Sequence, residues 1–112
     1  MQKKGGSVMA STKEYLDYVL EQLSSLDGIR FRAMMGEYVL YIDDKVFGGI
    51  YDDRLLIKPT KSAVALTAEP QYELPYEGAK EMLLAPVDDR EKLCEIITAM
   101  ADELPLPKKR RK

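Results

Sequence analysis

From residue 29 to residue 58 the chain alternates apolar and polar side chains with a period of two, and short polar turns are the main interruptions. That pattern restricts the fold more than any other feature. Ile29, Phe31, Ala33 and Met35 fall on one face of the first segment, and Arg30, Arg32 and Met34 on the other. Gly36-Glu37 predicts a turn, residues 38–42 a second strand, and Asp43-Asp44-Lys45 a hairpin turn. Residues 46–51 read as a third strand, Asp52-Asp53 as another turn, and 54–58 as a fourth strand ended by Pro59. Short strands joined by two- or three-residue turns make an antiparallel meander. Gly48-Gly49 in the third strand marks a bulge or a place where a neighbouring backbone comes close.

Helical periodicity flanks this ribbon. Ser11-Thr12-Lys13-Glu14 fits a capping box, with Ser11 as the cap. Tyr15, Leu16, Val19, Leu20, Leu23 and Leu26 then form one apolar stripe, stopped by Asp27-Gly28. Residues 60–68 predict a short helix, 69–78 a loop holding two prolines, and 81–87 a fifth strand. Asp88-Asp89-Arg90-Glu91 places acidic groups where a helix dipole favours them, and Leu93, Ile96, Ile97, Met100 and Leu104 line the last helix before Pro105.

Two amphipathic helices need an apolar surface, and a meander with one apolar face supplies it. The expected fold is α+β, a two-layer helix–sheet sandwich in the order α-β-β-β-β-α-β-α, with one sheet face left over. At 112 residues one domain is expected, over 11–104, between a disordered leader at 1–10 and a basic disordered tail at 105–112.

Histidine is absent, which removes the commonest general base, the commonest zinc ligand and the partner that activates a Ser or Cys nucleophile. Cys94 is alone and reads as a small core residue. The acidic pairs at 43–44, 52–53 and 88–89 are explained by turn and cap chemistry, so no metal site and no cofactor are expected. No apolar run approaches the length of a membrane span, and MQKKGGSVMAS lacks the apolar centre of a signal peptide. A cytoplasmic protein with no catalytic activity is expected. Of 17 basic residues, seven lie at the two ends; the interior carries 10 against 19 acidic ones, a net of −9. A body this acidic repels a phosphate backbone.

A further ordered set of residues resembles the N-terminal domain of the TfoX/Sxy family, regulators of competence for DNA uptake. It comprises Arg32, Met34, Gly36, Tyr38, Leu40, Tyr41, Phe47, Ile50, Asp52, Asp53, Arg54, Leu55 and Lys58. A weaker match runs through Tyr76, Gly78, Lys80 and Pro86. The family usually has an aromatic at the position of Met35 and glycines at those of Glu37, Val39 and Asp44. Two-domain members carry a second, helical domain after this one, where the present chain ends. The resemblance implies a secretion-chaperone-like α+β fold, a regulatory role and a bacterial setting.

Strand parity puts Arg30 with Arg32 and Arg54 with Lys58, with Tyr38 or Tyr41 and Tyr51 between them in sequence. Arg30, Arg32, Tyr38, Tyr41, Arg54 and Lys58 are therefore the candidate partner-binding residues. One reading is a basic, aromatic face for an acidic peptide, a nucleotide or single-stranded nucleic acid. The other is a solvated face whose arginines pair with nearby carboxylates. Protein–protein contact through this face or an exposed strand edge is the expected mode, and the same edge suits a homodimer. Nucleic acid is the alternative partner, through the Arg/Tyr face and the tail Lys108, Lys109, Arg110, Arg111 and Lys112. Arg32→Ala and Arg54→Ala are expected to leave folding nearly intact and to weaken partner binding.

Overall fold

The computed structural model describes residues 12–105. The leader, Ser11 and residues 106–112 of the basic tail lie outside the described residues. Three helices, α1 (Lys13–Gln22), α2 (Lys61–Leu66) and α3 (Arg90–Ala101), accompany strands β1 (Ile29–Met34), β2 (Glu37–Ile42), β3 (Lys45–Ile50), β4 (Leu55–Ile57), β5 (Tyr72–Glu73) and β6 (Met82–Leu84). The strands form one antiparallel sheet in the order β1-β2-β3-β4-β6-β5. The α+β meander predicted from periodicity is what forms.

The core lies between the helices and one sheet face. Leu16, Val19 and Leu23 of α1 and its end meet Leu93, Ile96, Ile97 and Met100 of α3 over Leu40, Phe47, Ile50, Leu55, Ile57 and Leu83. These side chains are almost wholly buried. Each contributes about 1.5–3 kcal/mol by leaving water, so they dominate the stability.

Polar groups fix the helix ends. Thr12, not Ser11, is the N-cap of α1: its side chain accepts from the Tyr15 N–H at 3.1 Å, and its own N–H donates to Asp53 Oδ1 at 2.8 Å. The turn aspartate therefore selects the cap, a link between residues 41 apart that local pattern does not contain. Asp89 caps α3 through the Lys92 N–H, and Lys45 Nζ donates to the Ala101 carbonyl at the far end of that helix at 2.7 Å. Thr60 caps α2.

Glu103 also accepts from the Ser62 N–H and hydroxyl beside the start of α2. Those bonds, the hydroxyl's first, hold its carboxyl below the ordinary value of 4.5. A depressed folded-state pKa gives stability that is present above the unfolded value and lost as pH falls through the folded one. Stability should therefore decline below about pH 4.5, and Glu103→Gln should flatten that part of the pH profile measured by thermal melting.

Three local departures have physical causes. Met35 leaves the first strand: it sits at φ 50°, with Gly36 at 83°, in a two-residue turn, and Glu37 opens β2. Between Pro70 and Pro75 a two-residue strand, β5, forms where the sequence reads as loop; pairing with β6 creates it, and two residues show no periodicity. The leftover sheet face is open over β1 and β2 only. Leu56 shares its row with Gly49 and Leu84 on that outer face, yet is 0% exposed.

Candidate functional site

Register fixes which predicted residues meet. Arg30 faces Tyr41, which faces Val46; Arg32 faces Val39, which faces Gly49. In an antiparallel pair, opposed residues share a face, so Arg30, Arg32 and Tyr41 form a cluster on the outer side of β1 and β2. Tyr38 faces Ala33 and Ile50 and thus belongs to the helix side, where its ring meets Phe31 edge-on at 6.0 Å. Of the alternatives Tyr38 and Tyr41, it is Tyr41 that shares the outer face with Arg30 and Arg32, because the two tyrosines differ by an odd number of residues within one strand. Arg54 and Lys58 flank β4, three strand spacings or about 14 Å from β1. The six candidates therefore make two groups with Tyr38 apart.

The cations differ in what holds them. Arg30 pairs with Asp44 at 3.3 Å across two largely exposed side chains. Such a pair contributes about 0–1 kcal/mol and yields readily to a competitor. Arg32 has no ion pair or side-chain hydrogen bond among the described residues. Arg54 is engaged by the fold: Nη1 donates to Glu73 Oε1 at 2.6 Å, Nη2 to the Leu74 carbonyl at 3.2 Å and Nε to the Tyr51 carbonyl at 3.0 Å. It anchors β5 and the following loop to the β3–β4 turn. Arg54→Ala should therefore cost about 2 kcal/mol, the loss of charge-assisted bonds around a half-buried carboxylate, read as a lower urea midpoint. The expectation of an intact fold after this substitution gives way to a structural role for Arg54.

β1 is the most exposed element of the sheet. It is an edge strand, and beyond Ile29 every residue of it is exposed on both faces. Phe31 is 46% exposed on the helix side, which reverses the expectation that the helices cover it, because they stop short of this edge. Met34 is 48% and Met35 98% exposed at the hairpin tip.

A second feature lies on the outer face beyond β3. The loop 74–81 borders a cleft of about 640 Å³ on that face, lined by Tyr51, Tyr76, Pro59 and Pro75 together with Lys58 and Lys80. The Tyr51 ring lies over Gly49 and meets Tyr76 at 6.3 Å. Burial raises the Tyr51 hydroxyl above its ordinary 10.0, with the charges of Glu37 and Tyr76 adding to the effect. Sequence patterning placed Lys58 on this face but missed the cleft, which depends on a loop with no periodicity. The family resemblance at Tyr76, Gly78 and Lys80 was the available signal.

The acidic pairs serve as local structure. Asp43, Asp44, Asp52 and Asp53 all adopt positive φ in hairpin turns, Asp88 accepts from the Tyr18 hydroxyl at 2.6 Å, and Asp89 is a helix cap. Among the described residues no group of three or more metal-ligating side chains comes together. No helix among them is long and apolar enough to cross a membrane.

Comparison with known proteins identifies a family and a relative. The family model of the TfoX N-terminal domain matches residues 21–102. An uncharacterized 12.7 kDa protein in the trpE 5′ region of Spirochaeta aurantia is 34% identical over 105 residues, which cover 92% of this chain and 91% of that protein. No solved structure matches.

Proposed function

The chain belongs to the TfoX N-terminal domain family, and from that premise we propose that it is a non-catalytic interaction module that regulates through protein–protein contact. The family is linked to regulation of competence for DNA uptake, and transcriptional regulation in the bacterial cytoplasm is the setting this reading assigns. The observation that carries it is β1: a six-residue edge strand exposed on both faces, bearing Phe31, Met34 and Arg32, which has no partner among the described residues. Unpaired strand edges recruit a further strand, and here the edge carries Met34 beside Arg32 on its outer face and Phe31 on the opposite one, so an added strand would find apolar surface on both sides. The partner it fits is an acidic, partly apolar protein segment, attracted by Arg30 and Arg32 and seated across Tyr41. The absence of histidine and the use of the acidic pairs in turns and caps support the non-catalytic part of the reading.

The test is affinity purification from the native host with wild type and with the double variant Arg30→Glu/Arg32→Glu. A retained protein that drops at least about tenfold with the variant supports the reading, since charge reversal in an interface costs more than 1.4 kcal/mol. An unchanged retained set contradicts it. Loss of binding on deleting residues 108–112, with a steep dependence on salt, transfers the activity to the basic tail and a nucleic-acid partner. A salt-insensitive dimer lost on mutating β1 assigns the edge to a second copy of the chain.

A further inference from the structure

We propose that the cleft between the outer sheet face and the loop 74–81 is a binding site for a small aromatic anion, a flat ring carrying a carboxylate or a phosphate. The site is separate from the β1 edge and does not depend on the partner reading above.

Its volume, about 640 Å³, lies inside the range of about 300–1,000 Å³ of small-molecule sites. Its walls select the shape. Tyr51 and Tyr76 are tilted at 58° to one another and present ring faces and edges, while Pro59 and Pro75 add flat, rigid hydrocarbon. Such surfaces stack a planar ring at little entropic cost, because prolines have no side-chain freedom to lose and tyrosines little. Met82 lies at the cleft too, and its thioether adapts to the outline of a ring.

Its lysines select the charge. Lys58 and Lys80 line the cleft, and among the described residues neither ammonium group has an ion pair or a hydrogen bond, although the interior of the chain carries a net of −9. Most of the other basic side chains are engaged: Lys13, Arg30, Arg54, Arg90 and Lys92 pair with carboxylates and Lys45 with a helix carbonyl, while Arg32 and Lys61, which do not line the cleft, have no such partner among the described residues. Glu81 is the one acidic side chain at the cleft, so its lining charges sum to +1. A single carboxylate is thereby matched and a phosphate nearly so. A neutral ring lacks the charge-assisted bonds, and a cationic one meets repulsion.

The chain has no tryptophan, so the emission of an added indole can be followed without interference. The experiment titrates the full chain with indole-3-acetate, with neutral indole, and with adenosine monophosphate read by NMR shifts. The expected result is saturable binding of at least one of the two anions with a Kd below about 1 mM. Neutral indole should bind at least about tenfold more weakly. Lys80→Gln, an exposed substitution that leaves the fold alone, and Lys58→Gln/Lys80→Gln should each weaken the anion, the double variant by at least about tenfold. Binding of indole-3-acetate alone identifies a carboxylate ligand, and of the nucleotide alone a phosphate. The proposal is overturned if neither anion saturates, if neutral indole binds as well, or if both lysine variants bind like wild type. Arg30→Glu/Arg32→Glu should leave this binding unchanged, so failure at the cleft and failure at the β1 edge are read independently.

Discussion

Gly48→Ala should cost about 3 kcal/mol or more and lower the urea midpoint by a large fraction of its value. A Cβ at position 48 would lie 2.3 Å from the Leu56 carbonyl oxygen and 2.8 Å from the Ile57 Cα, both backbone atoms of β4. A side chain can rotate away from such a clash; a paired strand cannot. Relief requires β4 to move off β3, and β4 is the strand through which β6 and β5 join the sheet. A total stability of about 5–15 kcal/mol leaves little margin for that loss. A cost below about 1 kcal/mol would show that β3 and β4 are not packed this closely.

Phe47→Ala should cost about 3–5 kcal/mol, while Phe47→Leu should cost less than half as much. Pairing between β2 and β3 runs Leu40 to Gly48 and then Tyr41 to Val46, so Phe47 is the extra residue of a bulge. The bulge turns its ring into the core, where it is 0% exposed among Leu16, Leu40, Ile57 and the α3 stripe. Truncation leaves a ring-sized void that the flanking strands, already held by the close approach at Gly48, cannot collapse into. Chemical denaturation of the two variants measures both numbers. Equal costs for alanine and leucine would argue against a packed ring at this position.

These two residues also show what the sequence makes legible. The glycine pair was readable as a bulge or a close approach, and the structure contains both, with the bulge one residue earlier at Phe47. Parity placed Arg30 with Arg32 and put both on the side away from the helices, because alternation along a strand is a local property. Parity alone did not say how far the helix layer extends, so Phe31 was expected to be covered and is not. Nor did it give the partners of Arg54, which are supplied by Glu73 and Leu74 nearly twenty residues on.

Turn chemistry was partly legible. Asp43-Asp44 was read as a hairpin turn, and Asp44 indeed sits at φ 66°, a conformation that explains why the family usually places glycine there. Met35 was assigned to the first strand because it continues the alternation of Ile29, Phe31 and Ala33, and nothing in its neighbours other than Gly36 marks the exception. The cleft was the least legible feature. Its walls come from three separate stretches, around residues 51, 59 and 75–82, the last of them largely a loop that carries no periodic signal.

The two halves of the outer face suit different tasks. Over β1 and β2 the surface is open, edged by a strand that is unpaired among the described residues and suited to an extended protein segment. Over β3 and β4 it is bordered by the loop and suited to a compact molecule. Gly49 lies at the boundary, where the Tyr51 ring occupies the space that a side chain would otherwise fill.

The most direct test of the partner surface is photo-cross-linking in the native host with a benzophenone amino acid at position 41, on the outer face, and at position 98, on the exposed side of α3. The interaction account predicts a covalent adduct to a protein partner from position 41, none from position 98, and loss of the adduct when Arg32→Glu is added. An adduct from 98 and not from 41, or one at 41 indifferent to Arg32, would contradict it.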